Sequence, residues 1–217
     1  MQTVSEMANF VELWDHVQSI QLSDHRDQIS WIWTTNGEYN AKSAYLAQFN
    51  GTYSTFTGEH IWKAEAEGKH KFFAWLLVQS KLLMADNLIL RSWPCNPVCA
   101  LCDQEPETAS HLILHCSFAR QVWDRLARWT GDLISLPDQG LQVMEWWESE
   151  LAHLPRKIRR QKAAIMIYAA WNIWKARNHR VFDNKDATPA DVMQELKLEM
   201  NWRRLACGGD ELPYNNV

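Results

Sequence analysis

Four residues in one short stretch constrain this chain more than anything else in it: Cys99 and Cys102 as a Cys-x2-Cys pair, then His111, then Cys116. Three thiols and an imidazole are the soft and borderline donors of a closed tetrahedral Zn(II) site. The segment that carries them is too polar and irregular to pack by itself: Pro94 and Pro97 bracket Cys95, and Cys99 to Asp103 forms a tight knuckle. A metal would hold it. Spacing alone leaves the ligand set open. His111 and His115 lie four apart on one helical face, whereas Cys116 lies well round a helix from His111, so a Cys2His2 site using His115 is geometrically easy. Cys116 binds only if the helix ends near His115 and the chain turns back, which a new helix starting at Ser117 permits. Cys95 is a further candidate, with its reach restricted by the two prolines. Four protein ligands leave no position for an activated water, so the expected zinc is structural.

Cysteine usage and charge bound the rest. Five cysteines, an odd number, suit metal binding in a reducing compartment better than a disulfide framework, with Cys207 a spare thiol. The first twenty residues contain Glu6, Glu12 and Asp15 with no basic start and apolar stretch, which argues against a signal or transit peptide and for cytosol or nucleus. Charges interrupt every apolar run well before about 18 residues, so no transmembrane segment is expected. The formal net charge of -4 gives no global attraction to nucleic acid. Its distribution differs. Residues 1–60 carry Glu6, Glu12, Asp15, Asp24, Asp27, Glu38 and Glu59 against Arg26 and Lys42. Residues 156–180 carry Arg156, Lys157, Arg159, Arg160, Lys162, Lys175, Arg177 and Arg180 with no carboxylate. That basic stretch could track phosphates, with Trp171 or Trp174 available for stacking. The competing reading is a solvated basic face whose tryptophans point into the core. Thirteen tryptophans in 217 residues are read chiefly as core packing.

Periodicity predicts a mainly α fold: an irregular helical domain with a small N-terminal β-hairpin and a zinc knuckle. Phe10, Leu13, Trp14, Val17 and Ile20 predict an amphipathic helix docked on the core. Ile29, Trp31 and Trp33, then Thr34-Thr35-Asn36-Gly37 and Glu38-Tyr39-Asn40, carry the hairpin signature. Helices follow from Ala41 to Gln48, Lys71 to Leu83, Asp86 to Trp93, Glu107 to Leu114, Ser117 to Trp129 and Leu141 to Leu151. A Thr/Ser/Gly loop covers Gly51 to Gly58. Pro155 opens a long helix to about Val181, and Thr188 with Pro189 starts the last, which Gly208-Gly209 stops near Leu205. Residues 1–135 and 136–207 are read as two regions, followed by a disordered tail over 208–217.

Several segments, in order, resemble one family: WIWTTNGEYNAKSAY from Trp31, KFFAWLL from Lys71, ADNLILRSWP from Ala85, CALC from Cys99, ETASHLILHC from Glu107 and FARQVW from Phe118. The chain is similar to the reverse-transcriptase zinc-binding domain of plant LINE-type (non-LTR) retrotransposons. WNIWKARNHRVF from Trp171 resembles the segment that follows this domain in those polyproteins. The resemblance implies zinc on Cys99, Cys102, His111 and Cys116, choosing Cys116 over His115, and implies a part in nucleic-acid binding beside a polymerase. Three departures stand out. No adjacent Asp-Asp pair of the polymerase kind is present, and the stretch after Phe182 is too short for a ribonuclease H domain. Ala64 to Gly68 also replaces a stretch commonly bearing proline. The chain therefore reads as a stand-alone fragment.

No catalytic set emerges. Asp24-His25, and His16 near Ser19 or Ser23, lack any Gly-x-Ser-x-Gly elbow or phosphate loop. Glu145 and Glu148 around Trp146-Trp147 read as a solvated helical face. The expectation is a non-enzymatic zinc module that binds RNA or DNA, or a host-retained module that contacts a protein partner, with no small-molecule substrate and no membrane.

Overall fold

The computed structural model describes residues 4–20, 29–48 and 58–208. The chain divides into two compact units, residues 1–56 and 57–217. The loop expected up to Gly58 and the expected tail lie, apart from Gly58 and Gly208 themselves, outside the described residues.

In the first unit α1 spans Val4–Gln18 and α2 spans Ala41–Gln48. The apolar residues of α1 form its predicted stripe, and Phe10, Leu13, Trp14, Val17 and Ile20 are all more than half exposed. The expected hairpin is also absent: no β-ladder occurs among the described residues. The turn itself forms, with the Trp31 amide donating to the Gly37 carbonyl at 2.8 Å and the Thr34 hydroxyl to the Glu38 carbonyl at 2.8 Å. The chain then has no room for a second strand. Asn40 accepts the Ser43 amide at 2.8 Å, which caps α2 and commits the backbone to helix three residues after Gly37. Trp31 turns toward that helix, its indole donating to Ser43 at 2.9 Å.

The second unit is built around one long helix. Its elements are α3 (Glu59–Lys63), α4 (Gly68–Val78), α5 (Ala85–Leu90), a π-helical turn (His111–His115), α6 (Ser117–Thr130), α7 (Val143–Leu151), α8 (Arg156–Asp183) and α9 (Pro189–Cys207). Every residue from Lys162 to Ala170 in α8 is buried, and α8 packs on α3, α4, α6, α7, α9 and the π turn. A helix surrounded on all sides has no polar face over that stretch. Ala163, Ala164, Ala169 and Ala170 let its neighbours approach closely, while Ile165, Ile167 and Tyr168 fill the space between. By contrast, α6 is amphipathic, burying Ala119, Val122, Trp123 and Leu126 at helical spacing.

Caps set several boundaries. Thr188 accepts from Asp191, with Pro189 at the first helical position of α9, as its sequence predicts. Gln142 and Glu145 form the reciprocal box that starts α7. Two helices stop earlier than their patterns predict: α4 ends at Val78, with Ser80 left-handed (φ 52°), and α5 at Leu90, with Ser92 left-handed (φ 59°). In place of the helix expected over Glu107 to Leu114 stands the π turn.

A polar cluster is buried where α4 meets α8 and α9. His70 Nδ1 lies 2.6 Å from Glu67 Oε2, and the Tyr168 hydroxyl donates to the same oxygen at 2.5 Å. The imidazole packs against the rings of Tyr168 and Trp171, with Glu199 Oε2 3.9 Å from its Nε2. Burial pushes His70 below the ordinary histidine range, against the opposite pull of Glu67 and Glu199. Burial pushes Glu67 up, but its hydrogen bonds from Tyr168, its own backbone and His70 outweigh that and leave it lowered.

Candidate metal centre

The stretch between α5 and α6 positions four ligands through turns. Val98 and Pro106 form an antiparallel bridge, the Cys99 amide donates to Glu105 at 2.8 Å, and the Glu107 amide donates to Pro97 at 2.8 Å. The knuckle closes where the Asp103 amide donates to the Cys99 carbonyl at 2.9 Å, with Asp103 left-handed (φ 53°). This places Cys99 and Cys102 side by side at its tip. Few apolar side chains hold it: in residues 95–106 only Cys99 and Leu101 are buried.

The second pair comes from the π turn. In an α-helix a residue five positions on lies about 140° round the axis, which would point Cys116 away from His111. Here the Cys116 amide donates to the His111 carbonyl at 2.7 Å, the i to i+5 bond of a π turn, and this wider turn reduces the offset. Cys116 then leaves the helical conformation (ψ 133°), and α6 begins at Ser117. Thr108 anchors the start by accepting the His111 amide at 3.0 Å. Behind the turn, Leu112, Ile113 and Leu114 are buried, and the Trp123 indole donates to the Ile113 carbonyl at 2.6 Å.

The ligand atoms of Cys99, Cys102, His111 and Cys116 all lie within 4.8 Å of one another. Cys99 Sγ is 3.9 Å from Cys116 Sγ, and Cys102 Sγ is 3.3 Å from His111 Nε2. Tetrahedral zinc with Zn–S of about 2.3 Å and Zn–N of about 2.0–2.1 Å sets its donors about 3.8 Å (S to S) and about 3.5 Å (S to N) apart. The donor set and its spacing fit zinc. The structure turns the alternatives elsewhere: His115 Nε2 lies 2.9 Å from the Leu141 carbonyl, and Cys95 Sγ points to the Ala85 carbonyl at 3.6 Å.

The hydrogen bond between Cys99 and Cys116 draws the Cys99 thiol well below its ordinary value. The Leu101 and Cys102 amides and His111 act in the same direction, against burial. The shared hydrogen bond and burial raise Cys116 correspondingly. A metal ion held there would displace the thiol protons.

One group essential to the knuckle carries no motif. Glu107 is buried, and its carboxylate accepts Arg177 of α8 through Nη2 at 2.6 Å and through Nε at 3.0 and 3.2 Å. The same carboxylate accepts the Ala85 amide at 3.1 Å, so it joins the knuckle, α5 and α8. Arg180 adds a bond to Asp103 at 3.0 Å. In sequence Glu107 is only the third of three acids, after Asp103 and Glu105, between the Cys pair and His111.

The basic residues of α8 divide. Lys162 is buried on Glu150 at 2.7 Å, Lys175 meets Glu199 at 3.0 Å, and Arg177 and Arg180 are tied to the knuckle. Arg156 and Lys157 are exposed, and Arg159 and Arg160 half-buried, at the amino end of the helix. Trp171 and Trp174 pack on Phe73, with centroids 5.2 and 5.3 Å away.

This geometry defines a Cys3His group that could hold a metal ion, on a helical framework. Residues 39–123 match the family described as zinc-binding in reverse transcriptase, a span that contains all four clustered ligands. No curated protein and no solved structure matches the chain. Among the described residues no helix is long and apolar enough to cross a membrane.

Proposed function

We propose that this chain is a non-enzymatic structural-zinc module, derived from the polyprotein of a plant LINE-type retrotransposon, that binds nucleic acid. The observation that carries the zinc reading is the convergence of the four ligand atoms, from two separately built turns, within 4.8 Å. Cys99, Cys102, His111 and Cys116 would hold the ion, and the ion would supply a closed tetrahedral cross-link between the knuckle and the π turn. Zinc content of the purified protein tests it: one ion per chain is expected, with loss in Cys99→Ser and Cys116→Ser, and full zinc in both variants would overturn it.

The nucleic-acid reading rests on the family match and on the amino end of α8. Of the eight basic residues, Arg156, Lys157, Arg159 and Arg160 are the ones turned to the surface there. Four phosphate contacts to a single strand give a slope of log affinity against log salt of about -3. Titration of a labelled single strand across salt concentrations measures it; no binding at low salt would dispose of the reading.

A second reading, a protein-interaction module, is favoured by the exposed apolar residues of α1, among them Phe10, Leu13 and Trp14. Nuclease-treated pull-down material separates the two. A specific protein retained after Arg156, Lys157, Arg159 and Arg160 are neutralised supports the second reading, and nucleic acid alone supports the first.

A further inference from the structure

The outer face of α4 is both aromatic and cationic. At about 100° per residue Lys71, Trp75 and Phe72 fall close together on it, opposite the buried Phe73 and Leu77. Phe72 and Trp75 stack, with ring centroids 6.0 Å apart and planes 19° apart. Trp62 of α3 meets them over Gly58: a Cβ on that glycine would lie 3.2 Å from Trp62 Nε1 and 3.6 Å from Trp75 Cδ1. Phe72 is 54% exposed and Trp62 48%. A single exposed ring is ordinary, but a contiguous strip of them marks a surface that contacts something.

Cations are set among these rings. Lys81 Nζ lies over the Trp75 ring, 5.2 Å from its centroid, and Lys71 Nζ donates to the Trp62 carbonyl at 3.1 Å. Burial pushes Lys71 below the ordinary lysine range, and the charges of Arg203 and Arg160 push it further down against the opposite pull of Glu67. The carboxylates of this stretch are engaged: Glu59 with Lys63 and Arg159, Glu65 with Arg160, and Glu67 with His70 and Tyr168. Arg160 also donates through Nε to the Lys63 carbonyl at 2.9 Å, which makes the strip continuous with the amino end of α8.

Rings and charge together select the occupant. Protein docking faces are enriched in aromatics and arginine but depleted in lysine, whereas Lys71 and Lys81 stand within this strip. A single nucleic-acid strand offers what both features take, a base face for an exposed ring and a phosphate for a cation. A duplex keeps its base faces stacked on one another and offers only the phosphates. Trp171 and Trp174 pack on Phe73 instead, and α4 packs on α8, so the exposed rings are carried by an anchored helix. We propose that Trp62, Trp75 and Phe72 form a stacking platform for the unpaired bases of a nucleic-acid strand whose backbone follows Lys71 and Lys81. This deepens the nucleic-acid reading above, on which it rests, by naming the single strand as the substrate.

The test measures binding of the full chain, at fixed salt, to a single-stranded oligonucleotide, to its duplex and to an abasic strand of the same length. The base-bearing single strand is expected to bind at least about tenfold tighter than the abasic one and the duplex. Phe72→Ala and Trp62→Ala should each weaken it by about fivefold to a hundredfold, the range for one lost stack, with the abasic strand changed by less than about twofold. Phe72→Tyr keeps a ring and should bind as before. Lys71→Gln and Lys81→Gln should each lower the slope of log affinity against log salt by about 0.7, which the ring variants leave alone. Trp62 rests on Gly58, so its variant is the one at risk of misfolding; Phe72→Ala and Lys81→Gln carry the test without it. Equal binding of base-bearing and abasic strands, or a preference that survives Phe72→Ala, overturns the platform and leaves the nucleic-acid reading standing. No binding of any probe removes both. A protein partner lost in Phe72→Ala while strand binding is unchanged assigns the strip to a protein and also overturns it.

Discussion

The knuckle and α8 touch through Glu107 and Arg177, yet they are held in opposite ways. From Lys162 to Ala170 α8 is buried without interruption, so its order follows from apolar surface removed from water. Residues 95–106 bury only Cys99 and Leu101, and the rest of their order comes from turn hydrogen bonds and from four convergent donors. A segment with so little core reaches a single conformation only when something else offsets its chain entropy. The difference teaches where to look for metal dependence: in the knuckle and the π turn, not in the helix behind them.

Removing the metal should give the largest effect. Structural zinc in small domains contributes about 10–16 kcal/mol, so chelation or Cys99→Ser should release the amides of residues 98–106 to rapid hydrogen exchange. Amides of Ile165 to Ala170 should stay protected under the same conditions; equal loss in both regions would break the contrast. The buried bridge is next. Glu107→Leu leaves the Arg177 charge without its partner and should cost about 3–5 kcal/mol in denaturant unfolding. Adding Arg177→Met should recover most of that, because the lone buried charge goes with it. Ile165→Ala, in the wholly buried part of α8, should cost about 2–5 kcal/mol and keep one zinc per chain, separating core loss from metal loss.

The smallest effect concerns pH and lies on the helix side. The folded pKa of His70 is depressed by burial, so the native state favours the neutral imidazole. Its contribution is complete above the unfolded histidine value of about 6.5 and is lost as pH falls through the folded value. Glu67, Tyr168 and Glu199 face this ring, and Lys69 adds a nearby positive charge. Glu67, also depressed, contributes in the same direction at lower pH, below about 4.5. Zinc-loaded protein should therefore lose unfolding midpoint between pH 7.5 and 5.5, and His70→Gln should flatten that slope; an unchanged slope would remove His70 from the account.

The amphipathic helices were legible because their signals are local. Leu126 follows Val122 on one face of α6, and Thr188-Pro189 starts α9 whatever else the chain does. The hairpin was not, since Asn40 reads as part of its second strand, whereas its side chain caps α2 and pulls the chain into helix. The four ligands could be named from residue types and spacing together with the family resemblance, although periodic reasoning put Cys116 on the wrong side of a helix. Only the π turn brings it toward His111, and a π turn has no simple residue signature. Glu107 and Arg177 were illegible for a different reason: each is an ordinary charged residue until the fold places them together, 70 positions apart. Half of the basic stretch was misleading for the same cause, because the carboxylates that answer Lys162, Lys175, Arg177 and Arg180 lie in distant segments.

X-ray absorption at the zinc edge, on protein purified without added metal and checked for stoichiometry, tests the central claim most directly. The account predicts one zinc per chain in a four-coordinate shell of three sulfurs at about 2.3 Å and one nitrogen at about 2.0–2.1 Å. A shell of two sulfurs and two nitrogens, or a chain that keeps its fold and protection pattern without any metal, would contradict it.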